Sequence, residues 1–196
     1  MPELEIEFKN LLTAKEHDTL YNTFFKWEEK QSLLNYYIDT ENLDLRKNTL
    51  LLRIRVTSGK QMMTLKAPTE KGILEFNAEV DYDLKTVERL SHDDLPEIIT
   101  HELKTRNIDV DELIIYGSLA TERFETDYKD GLLVLDRSSF LDTNDFEIEY
   151  EVTDYDQGET RFDHLLQEYE IERRPEVTKS ERFYQVLRKE KDESKW

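Results

Sequence analysis

Cysteine is absent from the 196 residues. That excludes disulfides, thiolate nucleophiles and Cys-ligated zinc, and it accords with a reducing, cytoplasmic setting. Only 5 Gly and 4 Pro occur, so no stretch reads as a linker and no composition break divides the chain. A single domain over 1–188 is expected, followed by a polar tail, 189–196. No apolar run approaches the roughly 20 residues of a membrane span. The first ten residues, MPELEIEFKN, hold no apolar stretch of the signal-peptide kind. Positive charge is in the minority, with 27 Lys+Arg against 45 Asp+Glu and a net charge of −18. So acidic a surface repels nucleic acid and anionic membranes, and neither is an expected partner. A polyanionic ligand would need a local basic pocket or metal ions. The four histidines, His17, His92, His101 and His164, are scattered, without the spacing of a metal pair.

Apolar residues make up 37% of the chain and aromatics 11%, enough for a packed core. A first strand is expected over Glu3–Asn10. Thr13 with Glu16 three residues on has the pattern of a capping box, opening a helix to about Glu29 with Leu20, Phe24 and Trp27 as its core stripe. Strand-like segments follow at Gln31–Asp39, Thr49–Thr57 and Gln61–Lys66, the last two joined by a turn at Ser58-Gly59-Lys60, and then at Ile73–Asp83. A helical pattern spans Thr86–Thr105, with Pro96 as a break or a start. Strands return at Leu113–Thr121, Glu122–Lys129, Gly131–Asp136 and Asp145–Val152, and helices at Thr160–Glu172 and Ser180–Lys189. The fold class is therefore α+β and mostly antiparallel, with about eight strands.

Several of these strands alternate strictly, with charge on the polar face. Glu5, Glu7 and Lys9 share one face of the first strand, while Leu4, Ile6 and Phe8 share the other. Arg53 and Arg55 share a face, as do Glu75 and Glu79, and Glu147, Glu149 and Glu151; Arg123, Glu125 and Asp127 repeat the theme. One such face is the wet side of an ordinary half-buried strand. The set is not, because neighbouring like charges repel and a solvated face intersperses signs. Acids gathered on some strands and bases on others point to separate counter-ions. If the strands close into a barrel with charged faces inward, the lumen holds Glu5, Glu7, Glu75, Glu79, Asp136, Glu147, Glu149 and Glu151 beside Lys9, Arg53, Arg55, Lys66 and Arg123. Hard cations such as Mg²⁺ or Mn²⁺ suit such carboxylates, and polyphosphate oxygens suit the bases. The apolar faces would then point outward under the amphipathic helices.

Glu5-Ile6-Glu7-Phe8-Lys9 resembles the ExExK signature of the CYTH superfamily, the triphosphate tunnel metalloenzymes. Further matches follow in order. Tyr36-Tyr37-Ile38-Asp39-Thr40, Leu52-Arg53-Ile54-Arg55 and Thr64-Leu65-Lys66-Ala67-Pro68 are similar to family strands. So are Arg123, Asp136, Glu147-Ile148-Glu149-Tyr150-Glu151 and the late Thr178-Lys179-Ser180. One departure is Ile73 where many members carry arginine in an Arg-x-Glu-x-Glu strand, here continued by Glu75, Asn77 and Glu79. The resemblance implies a closed antiparallel eight-stranded tunnel binding one or two Mg²⁺ or Mn²⁺ ions and a linear triphosphate. It implies metal ligation by Glu5, Glu7, Glu79, Asp136, Glu149 and Glu151. It places Lys9, Arg53, Arg55, Lys66, Arg123 and Lys179 on the substrate, and Glu5, Glu7, Lys9, Asp136 and Glu149 in catalysis. Tyr36 and Tyr37 are expected to pack. The preferred activity is hydrolysis of inorganic triphosphate or a small organic triphosphate. The alternatives are a class IV adenylate cyclase and a non-catalytic triphosphate- or polyphosphate-binding protein. Monomer and homodimer are equally compatible with the sequence.

Overall fold

The computed structural model of the chain describes residues 2–108, 113–140 and 143–193. Nine strands run in one antiparallel sheet: β1 (Glu3–Leu12), β2 (Gln31–Thr40), β3 (Leu51–Thr57), β4 (Lys60–Pro68), β5 (Ile73–Val80), β6 (Arg89–Leu90), β7 (Leu113–Tyr128), β8 (Gly131–Phe140) and β9 (Thr143–Val152). Their order is β2-β3-β4-β5-β1-β9-β8-β7-β6, and β2 also pairs with β7 from Gln31↔Arg123 to Thr40↔Leu113. That pairing closes eight strands into a barrel and leaves the two-residue β6 on its rim. Closure removes the exposed edges that an open sheet must otherwise protect. Ser58 and Gly59, both at positive φ, make the turn between Thr57 and Lys60; it lies where expected but is two residues long, since Lys60 already belongs to β4.

The barrel is apolar outside and charged inside. On one side Ile54, Met63, Leu65 and Phe76 pack under α3 (Glu97–Thr105), whose Ile99 and Leu103 are fully buried. On the other, Phe8, Leu135, Ile148 and Tyr150 meet α1 (Ala14–Leu20) and α4 (Tyr155–Glu168) through Leu20, Phe162 and Leu165. A four-residue helix, α2 (Asp44–Lys47), follows β2. It is held by the Asp39 carboxylate, which accepts the backbone N–H groups of Thr40, Leu45 and Arg46. The last helix, α5 (Lys179–Glu193), lies across the barrel. Its Phe183 is buried among Tyr37, Leu119 and Phe140. A Cβ at Gly117 would stand 2.6 Å from the Phe183 ring, so the close approach of helix and strand requires glycine there.

Several expectations need correction. The Thr13–Glu16 capping box opens α1 as expected. The helix does not continue regularly to Glu29: Tyr21–Phe25 form a π-helical turn. The wider i→i+5 spacing of that turn puts Phe25, not Trp27, beside Leu20 in the core. Phe25 is fully buried and Trp27 is 87% exposed. Thr86–Leu95 is not α-helical either. It holds β6 and a 3₁₀ turn at His92–Asp94 closed by Ser91 and Asp94, and the helix begins only after Pro96. Pro96 has no N–H to donate and so suits a helix start. The two strands expected at Leu113–Thr121 and Glu122–Lys129 are one 16-residue strand, β7. No turn residue separates Thr121 from Glu122, and the irregularity lies earlier, as a bulge opposite Tyr37/Ile38. The helix expected at Thr160–Glu172 starts sooner, because Asp154 caps the N–H of Gln157. Of the expected tail, 189–193 continue α5, and 194–196 lie outside the described residues.

The π turn yields a test by chemical denaturation. Phe25→Ala should cost about 3–5 kcal/mol of stability. Trp27→Ala should stay within about 0.5 kcal/mol. Equal losses would return Trp27 to the core.

Candidate active site

Strand alternation carries the charged side chains into the lumen. Register then sets which of them meet: Glu7 stands opposite Glu151, Lys9 opposite Glu149, Arg123 opposite Asp136, and Asp136 opposite Glu147. A cavity of about 560 Å³ lies in the barrel lumen. Glu5, Glu7, Lys9, Arg53, Arg55, Lys66, Arg123, Glu149, Glu151 and Lys179, ten of the sequence-predicted residues, line it. Asp136 lies beneath this lining, fully buried and held by Arg123 and Lys179. Glu79 is the one predicted residue the fold does not bring in. It is exposed near the end of β5, opposite Met62.

The acids form two groups, each able to bring three carboxylate oxygens within 4.8 Å of one another. Asp136, Glu147 and Glu149 are the deeper group, and each is paired with at least two cations. Lys179 Nζ lies 2.7 Å from Asp136, 2.5 Å from Glu147 and 2.6 Å from Glu149. Arg123 donates to Asp136 at 2.9 and 2.7 Å and to Glu149 at 2.8 Å. Arg182 donates to Glu147 at 2.9 Å and to Asp145 at 2.7 Å. Burial pushes Asp136 and Glu149 up, but these cations, led by Lys179, hold both carboxyls below their ordinary values. Glu147, where burial and the adjacent Glu149 outweigh Lys179, is pushed up to about 7.

The second group, Glu5, Glu7 and Glu151, is short of positive charge. Among the described residues Glu5 meets only Lys66, at 2.5 Å, and Lys66 is shared with Glu75 at 2.7 Å. Among the described residues Glu7 meets only Lys9, at 2.6 Å. Glu151 has no ion pair among the described residues. Burial, together with Glu5, Glu149 and Glu7, pushes it up to about 7 against the pull of Arg123. Burial likewise raises Glu5 despite Lys66. Four carboxylates thus face two ammonium groups, a shortfall that one divalent cation would cancel.

Across the ring, four strands from β9, stands β3 with the reverse problem. Neither Arg53 nor Arg55 forms an ion pair among the described residues; Arg53 acts on Glu75, and Asp136 and Glu149 act on Arg55, only by longer-range attraction. The Arg53 Nε is buried without an acceptor, and Arg55 Nε donates only to Asn35 Oδ1, at 2.9 Å. Burial and the neighbouring Arg53 and Arg123 pull Arg55 below its ordinary value. The wall that lacks cations and the wall that lacks anions face one cavity.

Some members of the site escaped sequence reasoning. Arg182 carried a usable signal, since it follows Lys179 by one helical turn. Arg46 carried none. It reaches the cavity because Asp39 holds α2, and it pairs with Glu181 while its guanidinium lies 3.8 Å over the Tyr184 ring. Tyr37 packs as expected, against Phe183, and also lines the cavity.

A closed β-tunnel with a charged, cavity-bearing lumen is the class that fold and site define. The CYTH domain family's sequence profile matches residues 3–184, and the chain belongs to that family. Among curated relatives it is 38% identical over 189 residues to YjbK of Bacillus subtilis (strain 168), provisionally named a triphosphatase. That alignment covers 95% of this chain and 97% of YjbK. A solved Bacillus halodurans structure, provisionally described as an adenylate cyclase, superposes with a TM-score of 0.84 at 29% identity, covering 93% of this chain and 98% of that one. A Hippeastrum protein, described as revealing a dominant triphosphatase activity, shares the fold with a TM-score of 0.71 at 20% identity, covering 95% and 96%. No helix among the described residues is long and apolar enough to cross a membrane.

The two buried acids whose carboxyls are pushed up most, Glu151 and Glu147, make stability depend on pH in a defined direction. Glu151 and Glu147 titrate near 7 in the folded chain and near 4.3 when unfolded. Between those values the folded, metal-free chain binds more protons, so its stability falls as pH rises, and the penalty is complete above about 7. Differential scanning fluorimetry of chelator-treated protein should show Tm rising as pH is lowered from about 8 to about 6. Added Mn²⁺ should raise Tm most at the higher pH. A flat profile would mean that these carboxylates do not share a confined space.

Proposed function

We propose that the chain hydrolyses a linear triphosphate in its tunnel, with a divalent ion held by Glu5, Glu7 and Glu151. The carrying observation is the complementary charge imbalance of the two walls: on β1 and β9, Glu5 and Glu7 each share one lysine while Glu151 has no ion pair among the described residues, and on β3 the guanidinium groups likewise form none. A metal–triphosphate pair satisfies both at once, and neither ligand alone does. The donor set is all carboxylate, which fits Mg²⁺ or Mn²⁺ and not a softer metal. When bound, the ion supplies Lewis acidity toward the phosphate oxygens.

The side chains divide the remaining work. Arg53 and Arg55 bind non-bridging oxygens through fork-shaped, charge-assisted hydrogen bonds. Lys9 and Lys66 are each held by carboxylates at the edge of the acid group, and they neutralise charge where phosphate and acids approach. Arg123 and Lys179 keep Asp136 and Glu149 ionised and in place while lining the same cavity. A water oxygen attacks the terminal phosphorus and loses a proton to solvent, the bridging P–O bond breaks, and orthophosphate leaves with the diphosphate, which is pyrophosphate when the substrate is inorganic triphosphate. The confined cationic surroundings stabilise charge on the transferring phosphoryl group. The provisional name of YjbK supports this reading.

The test is to incubate the protein with Mg²⁺ or Mn²⁺ and, separately, inorganic triphosphate, thiamine triphosphate and ATP. Orthophosphate, pyrophosphate and cyclic AMP are then quantified. Orthophosphate release is expected first from inorganic triphosphate, with kcat reduced about 100-fold or more in Glu7→Gln. Arg53→Ala and Arg55→Ala should each raise KM about tenfold or more, the loss of a charge-assisted hydrogen bond. Cyclic AMP with matching pyrophosphate would replace the hydrolase by a cyclase. Metal-dependent binding without turnover would leave a binding protein.

A further inference from the structure

The two carboxylate triads have nearly the same composition and opposite states. On donor chemistry alone the deeper one, Asp136, Glu147 and Glu149, is the better cation trap, since all three residues are buried. It is already filled. Lys179 Nζ contacts all three carboxylates within 2.7 Å. Among the described residues no other ammonium group meets three. Lys9 and Lys66 each meet two.

Lys179 also differs in origin. The triad belongs to β8 and β9 of the barrel wall, whereas Lys179 is the first residue of α5. Its position follows from how the helix docks. Phe183, one turn on, is buried against Tyr37, Tyr116 and Phe140. Arg182 ties the same helix to Asp145 and Glu147. The ammonium group is thus delivered to the triad by a separate, firmly seated element, as an ion would be delivered by solvent.

We infer that Lys179 stands in for a second divalent ion: it fills what would otherwise be a metal site and limits the substrate-free tunnel to one ion, at Glu5, Glu7 and Glu151. The count of one rests on the metal reading proposed above; the occupancy of the deeper triad by Lys179 does not. A divalent cation could not enter beside the ammonium, because its carboxylate ligands would lie about 2.0–2.6 Å away in the space Nζ holds. Without the ammonium, three buried carboxylates would lack their common partner, and a metal ion is the ligand that such a set favours.

The experiment is a Mn²⁺ titration of chelator-stripped, substrate-free protein near neutral pH, with free Mn²⁺ read by electron paramagnetic resonance. Wild type should bind one ion per chain and Lys179→Met two. Lys179→Arg, which keeps a cation, should bind one. Adding Glu151→Gln should remove one ion from each background, leaving none in wild type and one in Lys179→Met. Lys179→Gln provides a second neutral variant, and a cooperative thermal transition shows that each variant is folded. Two ions in wild type would overturn the inference, and this arm needs no variant. A single ion in folded Lys179→Met and Lys179→Gln would overturn it as well. No ion in wild type but one in Lys179→Met would uphold the role of Lys179 while sinking the metal assignment at Glu5, Glu7 and Glu151. No ion in any variant would sink both.

Discussion

A carboxylate taken out of water must meet a cation or take up a proton, because the cost of burying it unpaired is several kcal/mol. This tunnel gathers seven carboxylates, from Glu5, Glu7, Glu75, Asp136, Glu147, Glu149 and Glu151, and the requirement governs how every other group is placed. Where the requirement is met internally, around Lys179 and Arg123, the lumen is tightly paired. Where it is met only in part, at Glu5, Glu7 and Glu151, the proposed metal ion would supply the rest. The unpartnered guanidinium groups of Arg53 and Arg55 are the same requirement with the sign reversed.

The fold serves this arrangement by exchanging inside for outside. Small barrels usually fill their interior with apolar side chains. Here the strands turn those residues outward, and the hydrophobic core becomes two layers between barrel and helices. The helices are therefore the means by which the barrel can afford a charged lumen. Helix α5 does both tasks, sealing apolar surface with Phe183 and delivering Lys179 and Arg182 to the acids.

Much of this was legible in the linear chain. Alternation at Glu5–Lys9, Arg53–Arg55 and Glu147–Glu151 defined strand identity and which residues share a face; that the charged face points inward came from the segregation of like charges and the resemblance to the family, not from the period. The ordered motifs from Glu5 to Lys179 pointed to the family. What could not be read depended on distant partners. Trp27 looked like a core residue because a regular helix was extended past Leu20, and nothing local announces the π turn that substitutes Phe25. Thr86–Leu95 had a helical pattern, yet Leu90 is drawn into the sheet by Leu113, more than twenty residues on. Glu79 shares the alternation of Glu75 but falls where the strand leaves the cavity, and strand length alone does not show where a lumen ends.

The sequence by itself determined which residues carry charge into the barrel, because that follows from backbone periodicity and composition. It could not determine which charges cancel. Glu149 and Glu151 are two positions apart on one strand and look alike in sequence. One is surrounded by Lys179, Lys9 and Arg123, while the other has no cation partner among the described residues. That difference arises from the register of β9 against β1 and β8 and from the docking of a helix some thirty residues away. Electrostatic pairing acts through space over a few ångströms, so only the tertiary structure could decide which acids are satisfied and which are left short of positive charge.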